Sequence, residues 1–255
     1  KTNYSIFDLL KKYSLINKKI AMWSGPRNIS TALMRSFGNR SDTVVLDEPF
    51  YAHYLYVTGI NHPGKNEILA KQKTNWEEIV YNITGSVPEN KSIWYQKHMA
   101  QHNLPGNDLS WTKQMTNCFL IRRPEEVIAS YNNIHKVDNE LLLGFKQQAE
   151  LFRYILKNTG RISTVINSKT ILKNPRNALK TLCFHLNINF SENMLKWLPG
   201  IRKSDGVWAK YWYKTVKHST GFAKYKKKEL RINSKMRSLI NLCRPDYEFL
   251  KKYQI

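Results

Sequence analysis

Cysteine is scarce in this chain: Cys118, Cys183 and Cys243 are the only three among 255 residues, with no CxxC pair and no histidine nearby at metal spacing. That excludes a disulfide framework and a zinc site, and the three are expected to be buried, reduced thiols. Long apolar runs are missing too. No stretch approaches the roughly 18 to 20 apolar residues that cross a bilayer. The opening KTNYSIFDLLKKYSL lacks the charged, apolar and small-residue succession of a signal peptide, so a cytoplasmic protein without a membrane span is expected. Acidic residues are few, 19 Asp and Glu against 41 Lys and Arg, for a net charge of +22. From residue 202 onward the count is 15 basic against 4 acidic, so half the excess lies in the last fifth of the chain. Such a bias implies an anionic partner: nucleic acid, an acidic membrane surface or a small phosphorylated ligand. A Lys- and Asn-rich genome that places lysine on every surface gives the same count without any site.

Repeats, low-complexity tracts and Gly/Ser linkers are also absent, and 42% hydrophobic with 12% aromatic residues is a globular composition. The length suits one domain with a full core, 1–255, on which the basic, aromatic region 201–255 reads as a C-terminal cap.

What is present is a succession of short apolar, β-branched runs: KKIAMWS at 18–24, TVVLDEP at 43–49, SIWYQKH at 92–98, TNCFLIRRP at 116–124 and ISTVINS at 162–168. Continuous runs of this kind fit strands buried on both faces. Helices are predicted between and after them over 28–38, 64–85, 124–134, 140–159 and 175–187, with NHPGKNE at 61–67 a surface turn and YKKKEL at 225–230 a loop before a last helix. The order is βαβα, an α/β fold with a largely parallel sheet flanked by helices, which binds ligands beyond the carboxyl ends of its strands.

At the first such end stands SGPRNIST, residues 24–31. Backbone N–H groups at a helix start are unpaired and partly positive, so a Gly/Pro turn entering a helix cradles anions. Ser24, Gly25, Pro26, Arg27, Asn28, Ser30 and Thr31 are the candidates here, Arg27 adding charge and the hydroxyls adding donors. A simpler reading is a hydroxyl N-cap before an apolar helix. The nucleotide-triphosphatase loop G-x-x-x-x-G-K-[ST] does not fit, because Ser30 and Thr31 stand where its second Gly and its Lys belong, which disfavours ATP or GTP hydrolysis.

The order P-R-x-x-S-T resembles the 5′-phosphosulfate loop of sulfotransferases, with Arg27 in place of the usual lysine and Ile29 in place of a frequent glycine. FLIRRPEEVIASYNN, residues 119–133, is similar to the family's R-x-P-x-x-x-x-x-S pattern, in which the arginine and serine, here Arg122 and Ser130, hold a 3′-phosphate. GIRKSDGVWAKYWY, residues 200–213, loosely resembles the family's C-terminal nucleotide segment through Arg202, Lys203, Gly206 and Trp208. On these segments the chain is identified as resembling the sulfotransferases over about 18–212, and within them the divergent bacterial proteins.

The resemblance implies a P-loop-like parallel sheet and 3′-phosphoadenosine 5′-phosphosulfate (PAPS) as donor, with 3′,5′-ADP (PAP) as product. It implies a hydroxyl or amine of a small molecule as acceptor, and no metal. Arg27 would clamp the bridging oxygen and 5′-phosphate. The general base is His98, in a segment similar to the family's K-x-H, or Glu48 in VVLDEPFYAHYL, since some family members use a glutamate there; His53 and His102 are weaker candidates. Residues 201–223 are expected to form a lid ordered by the nucleotide. Two alternatives stay open: a P-loop kinase with a degenerate loop, and a nonenzymatic nucleic-acid binder, although no nucleic-acid motif is present.

Overall fold

The computed structural model describes residues 17–133, 137–227 and 229–255. In chain order the main elements are β1 (Lys18–Ser24), α1 (Ser30–Gly38), β2 (Thr43–Asp47), α2 (Tyr51–Thr58), α3 (Lys65–Lys71), α4 (Trp76–Thr84), β3 (Ile93–Met99), β4 (Thr116–Ile121) and α5 (Pro124–Asn132). They are followed by α6 (Phe145–Thr159), β5 (Thr164–Asn167), α7 (Ser168–Lys173), α8 (Pro175–His185), α9 (Ala209–Trp212) and α10 (Ser234–Lys251).

The five strands form one sheet in the order β2-β3-β1-β4-β5, every pair parallel. Their apolar runs are unbroken because both faces are covered. On one face Ile20 and Met22 of β1 pack with Leu33, Met34 and Phe37 of α1 and Leu179 and Leu182 of α8. On the other, Trp23 and Phe119 join Val127 and Ile128 of α5, Leu151 and Phe152 of α6, and Met236, Leu239, Ile240 and Cys243 of α10. The C-terminal helix is thus part of the outer layer of this core. The three cysteines are buried and free. Among the described residues no helix is long and apolar enough to cross a membrane.

After β1 the chain travels toward β2, and after β4 it travels the opposite way to β5. The crevice between the carboxyl ends of β1 and β4 is therefore the switch point of the sheet, where open α/β sheets take ligands. Ser24, the last residue of β1, is in register with Leu120 of β4 on one side and Met99 of β3 on the other.

The helix expected over 64–85 is two. α3 ends at Lys71, and Asn75 starts α4 afresh by accepting the Glu78 N–H at 2.7 Å. The turn expected at 61–67 runs directly into α3, with Gly64 (φ 79°) at the junction. The helix expected over 140–159 is divided by Gly144 (φ 74°), which leaves a single 3-10 turn before α6. The short helices α2, α7 and α9 carry too few residues for a readable period.

Candidate active site

The turn after β1 is built by close approach. A Cβ on Gly25 would lie 2.3 Å from the carbonyl oxygen of Leu143, so only glycine lets the segment before α6 pack against it. Gly25→Ala is expected to cost about 1–3 kcal/mol, the range for forced overpacking, read as a lower denaturation midpoint; an unchanged midpoint would mean that the Leu143 segment yields freely. Asn28 is buried, and its Nδ2 donates to the Leu120 carbonyl at 3.1 Å, pinning the loop to the end of β4. Arg27 and Ile29 both hold φ of 62°, in the left-handed region that costs non-glycine residues free energy. Ile29 adopts there the conformation a glycine would take without strain. It is also the N-cap of α1 and makes no side-chain capping bond, so Ser30 and Thr31 fall in the first turn and are not cap hydroxyls. The first-turn amides of α1 lack intrahelical partners and mark the positive end of the helix.

Residues nearly a hundred positions apart meet at this turn. Arg27 Nε donates to Ser130 Oγ of α5 at 3.1 Å, and an Arg122 terminal nitrogen donates to the Arg27 carbonyl at 2.7 Å. Burial, then the charge of Arg122, lower the Arg27 pKa from its ordinary value. Two cations held this close favour an anion between them. Glu126, one helical turn after Arg122, already takes its Nε at 2.9 Å and also accepts from the Tyr225 hydroxyl at 3.2 Å. Glu126 and Tyr225 were not foreseen, although the i, i+4 spacing of Arg122 and Glu126 is a readable pairing signal.

A second cluster lies at the carboxyl ends of β2 and β3. Lys97 is buried, and its ammonium donates to Asp47 Oδ1 at 2.9 Å, to the Tyr213 hydroxyl at 2.8 Å and to Glu48 Oε1. Burial alone would lower its pKa, but Asp47 and Glu48 reverse the sign and raise it well above the ordinary lysine value. Glu48 stands at φ 44°, strained for a residue with a Cβ, while its N–H donates to the Lys97 carbonyl at 2.9 Å. Burial pushes its carboxyl up to about 7; the Lys97 ammonium opposes the rise and Asp47 adds to it. Its Oε1 takes the Lys97 bond, and Oε2 makes no hydrogen bond with the described residues. All three donors of Lys97 are spent, so it has none to offer a ligand.

His98 is elsewhere. Successive strand residues point to opposite faces, and the His98 ring lies among Trp23 at 4.5 Å, Trp111 at 5.5 Å and Phe50 at 5.7 Å between centroids. Its Nε2 meets Gln96 Oε1 at 3.1 Å, and its Nδ1 is buried without a partner. Burial drives its pKa down to about 3. A ring walled off in this way is placed to pack, not to reach a solvent-borne acceptor. The weaker candidates differ from it little. His102 is stacked between Tyr51 and Tyr54, and His53 Nδ1 meets the Thr74 carbonyl at 2.8 Å.

The third sequence segment lies apart from the turn after β1. Arg202 lies against Gly38 at the far end of α1, about 12 Å along the helix axis from Ser30 at 1.5 Å per residue. Its neighbour Asp205 fixes the segment there by a buried ion pair with Arg35 at 2.5 Å, and Lys203 is exposed. Trp208 is wholly buried, edge-on to Tyr51 and donating from Nε1 to the Tyr213 hydroxyl at 3.3 Å, so it offers no open face for a base. Residues 208, 209 and 213 share a core with α2.

A family model described as "Sulfotransferase domain" matches residues 18–252. Two Arabidopsis thaliana proteins, branched-chain-amino-acid aminotransferase-like proteins 1 and 2, are each 34% identical over 237 and 233 residues, 92% and 91% of this chain. The chain spans only 42% and 41% of their length. Among solved structures, a sulfotransferase from Alicyclobacillus acidocaldarius superposes with a TM-score of 0.55 at 11% identity, covering 92% of this chain and 94% of that one. The sulfotransferase domain from the curacin biosynthetic pathway gives 0.51 at 15% identity, covering 88% and 96%. At such identities the structural likeness speaks for the fold.

Proposed function

Since the chain belongs to the sulfotransferase domain family, we propose that it moves a sulfuryl group from PAPS to a hydroxyl or amine of a small-molecule acceptor. The observation that carries this reading is the meeting of Arg27, Arg122 and Ser130 at the switch point of the sheet, beside the unpaired amides of α1. The residues fit a doubly phosphorylated donor: a glycine-dependent cradle, two guanidinium groups, and hydroxyls at Ser30 and Ser130. Bound there, the donor supplies a sulfuryl group on a phosphate leaving group.

The protein's part is positional and electrostatic. Ser24, Gly25, Pro26, Asn28, Ser30 and Thr31 shape the turn that receives the 5′ side. Arg122 and Ser130 hold the 3′-phosphate once Arg122 exchanges Glu126 for it. Arg27, always charged and able to bond in two places, stabilises the negative charge that develops on the leaving phosphate. Glu48 is the better placed of the two base candidates, because it directly follows β2 on the carboxyl side of the sheet, as the turn follows β1, and keeps one oxygen without a hydrogen bond among the described residues, whereas His98 is enclosed. Arg202, Lys203 and Trp208 take no part in this assignment. A kinase reading lacks its lysine: Thr31 stands at that position, and Lys19 donates to the Thr84 carbonyl at the other end of β1.

The test is mass spectrometry of a small-molecule extract incubated with the protein and isotopically labelled PAPS. Formation of PAP with a labelled sulfated product supports transfer, and no donor consumption above a protein-free control counts against it. Arg27→Ala is expected to depress turnover more than donor affinity, as for a group whose bonds strengthen in the transition state. Equal losses in the two would make Arg27 a ground-state binder.

A further inference from the structure

The Lys97 cluster is joined by a residue that arrives from far along the chain. The Tyr213 hydroxyl, one residue past α9, donates to Asp47 Oδ2 at 2.6 Å while accepting from Lys97 Nζ at 2.8 Å and from Trp208 Nε1 at 3.3 Å. Among the described residues the one other donor to that Asp47 oxygen is the Gly206 amide at 3.4 Å, from the same segment. Asp47, Lys97 and Tyr213 are all buried, so every bond acts in a medium of low polarity. One ammonium thus serves two carboxylates, and the Tyr213 O–H is the chief neutral group that holds Asp47 in place. We propose that Tyr213 is a positioning residue for Glu48: by satisfying Asp47 it leaves the Lys97 ammonium shared with Glu48 Oε1, and so keeps that carboxylate oriented with Oε2 unbonded. The proposal rests on the reading of Glu48 as the base, but its geometry does not.

The physical consequence is directional. Among the described residues, four ionisable groups face Glu48: Asp47 at the end of β2, Lys97 of β3, Tyr51 of α2 and Tyr213. Without the Tyr213 hydroxyl, Asp47 keeps only the long amide bond on Oδ2 and draws Lys97 toward itself, whereas Lys97 still has two carboxylates. Glu48 then loses part of its counter-charge beside an undispersed like charge, and holds its proton to higher pH.

The experiment is a ¹³C NMR titration of the full chain labelled at the glutamate carboxyl carbons, with the Glu48 resonance assigned by its loss in Glu48→Gln. In Tyr213→Phe, which keeps the ring packing, the Glu48 midpoint is expected to rise by about half to one pH unit, the size of one hydrogen bond to a charged group's neighbour. With 3-fluorotyrosine at position 213 the hydroxyl donates more strongly and accepts more weakly, and the midpoint is expected to fall. This second substitution decides the matter if Tyr213→Phe does not fold. An unmoved midpoint in either folded variant, or movement opposite to that stated, overturns the inference. Failure of the base assignment is seen separately, as retained turnover in Glu48→Gln while the Glu48 midpoint still moves as stated in the Tyr213 variants.

Discussion

Glu48→Gln is expected to lower turnover by about 10²- to 10⁴-fold, the usual worth of a positioned general base, while binding of 3′,5′-ADP stays near wild type. The amide keeps the size and one acceptor oxygen but cannot take the acceptor's proton. The pH profile gives the same information independently. Burial raises the Glu48 carboxyl to about 7, so the basic form grows in as pH rises through that value, and the wild-type rate should climb with it. The Glu48→Gln enzyme should show no such limb. If it retains both rate and limb toward an identified acceptor, Glu48 is not the base, and the enclosure of His98 means that the proton must go to a group not considered among these two.

The other large effect is on stability. Lys97→Met is expected to cost about 3–5 kcal/mol, because removing one partner of a buried ion pair leaves the other charge without compensation. Here two carboxylates are left, Asp47 and Glu48, and the Tyr213 hydroxyl donates to Asp47 alone. The loss should depend on pH with a definite sign. A carboxyl whose folded pKa is raised contributes stability that is fully present below its unfolded pKa and is lost as pH rises through the folded one. For Glu48 that window runs from its ordinary 4.5 to about 7. The variant should therefore be least impaired at the acid end, where Glu48 is neutral, and most impaired above pH 7. Chemical denaturation at pH 5 and pH 8 measures this directly, and equal losses at the two would show that Glu48 does not need the ammonium.

Both effects depend on contacts that reading along the chain cannot supply. The strand β1 is legible to the residue because KKIAMWS is apolar on both faces and ends at a Gly/Pro turn. Arg27, Arg122 and Ser130 were likewise readable, because each sits at a fixed offset from a strand-to-helix junction. Lys97 points to the face opposite His98 because side chains alternate along β3. What decides its role is that β3 pairs with β2 in the register Asp47↔Lys97. That pairing follows from sheet order, which local pattern does not encode. Tyr213 is further out of reach, since its part depends on α9 docking against α2. The place of 202–208 is unreadable for a related reason. Composition supplies basic and aromatic residues, but Asp205 and the buried Arg35 determine where they are fixed.

On this reading the turn after β1, together with Arg122 and Ser130, holds one donor nucleotide by its 5′ and 3′ phosphates. Calorimetric titration of the wild type and of Arg122→Ala with 3′,5′-ADP and with 5′-AMP tests it most directly. The wild type is expected to bind 3′,5′-ADP more tightly than 5′-AMP by about 1.5–3 kcal/mol, the worth of hydrogen bonds to a charged group, and Arg122→Ala to erase that preference while leaving 5′-AMP binding intact. Equal affinity of the wild type for the two nucleotides would contradict it.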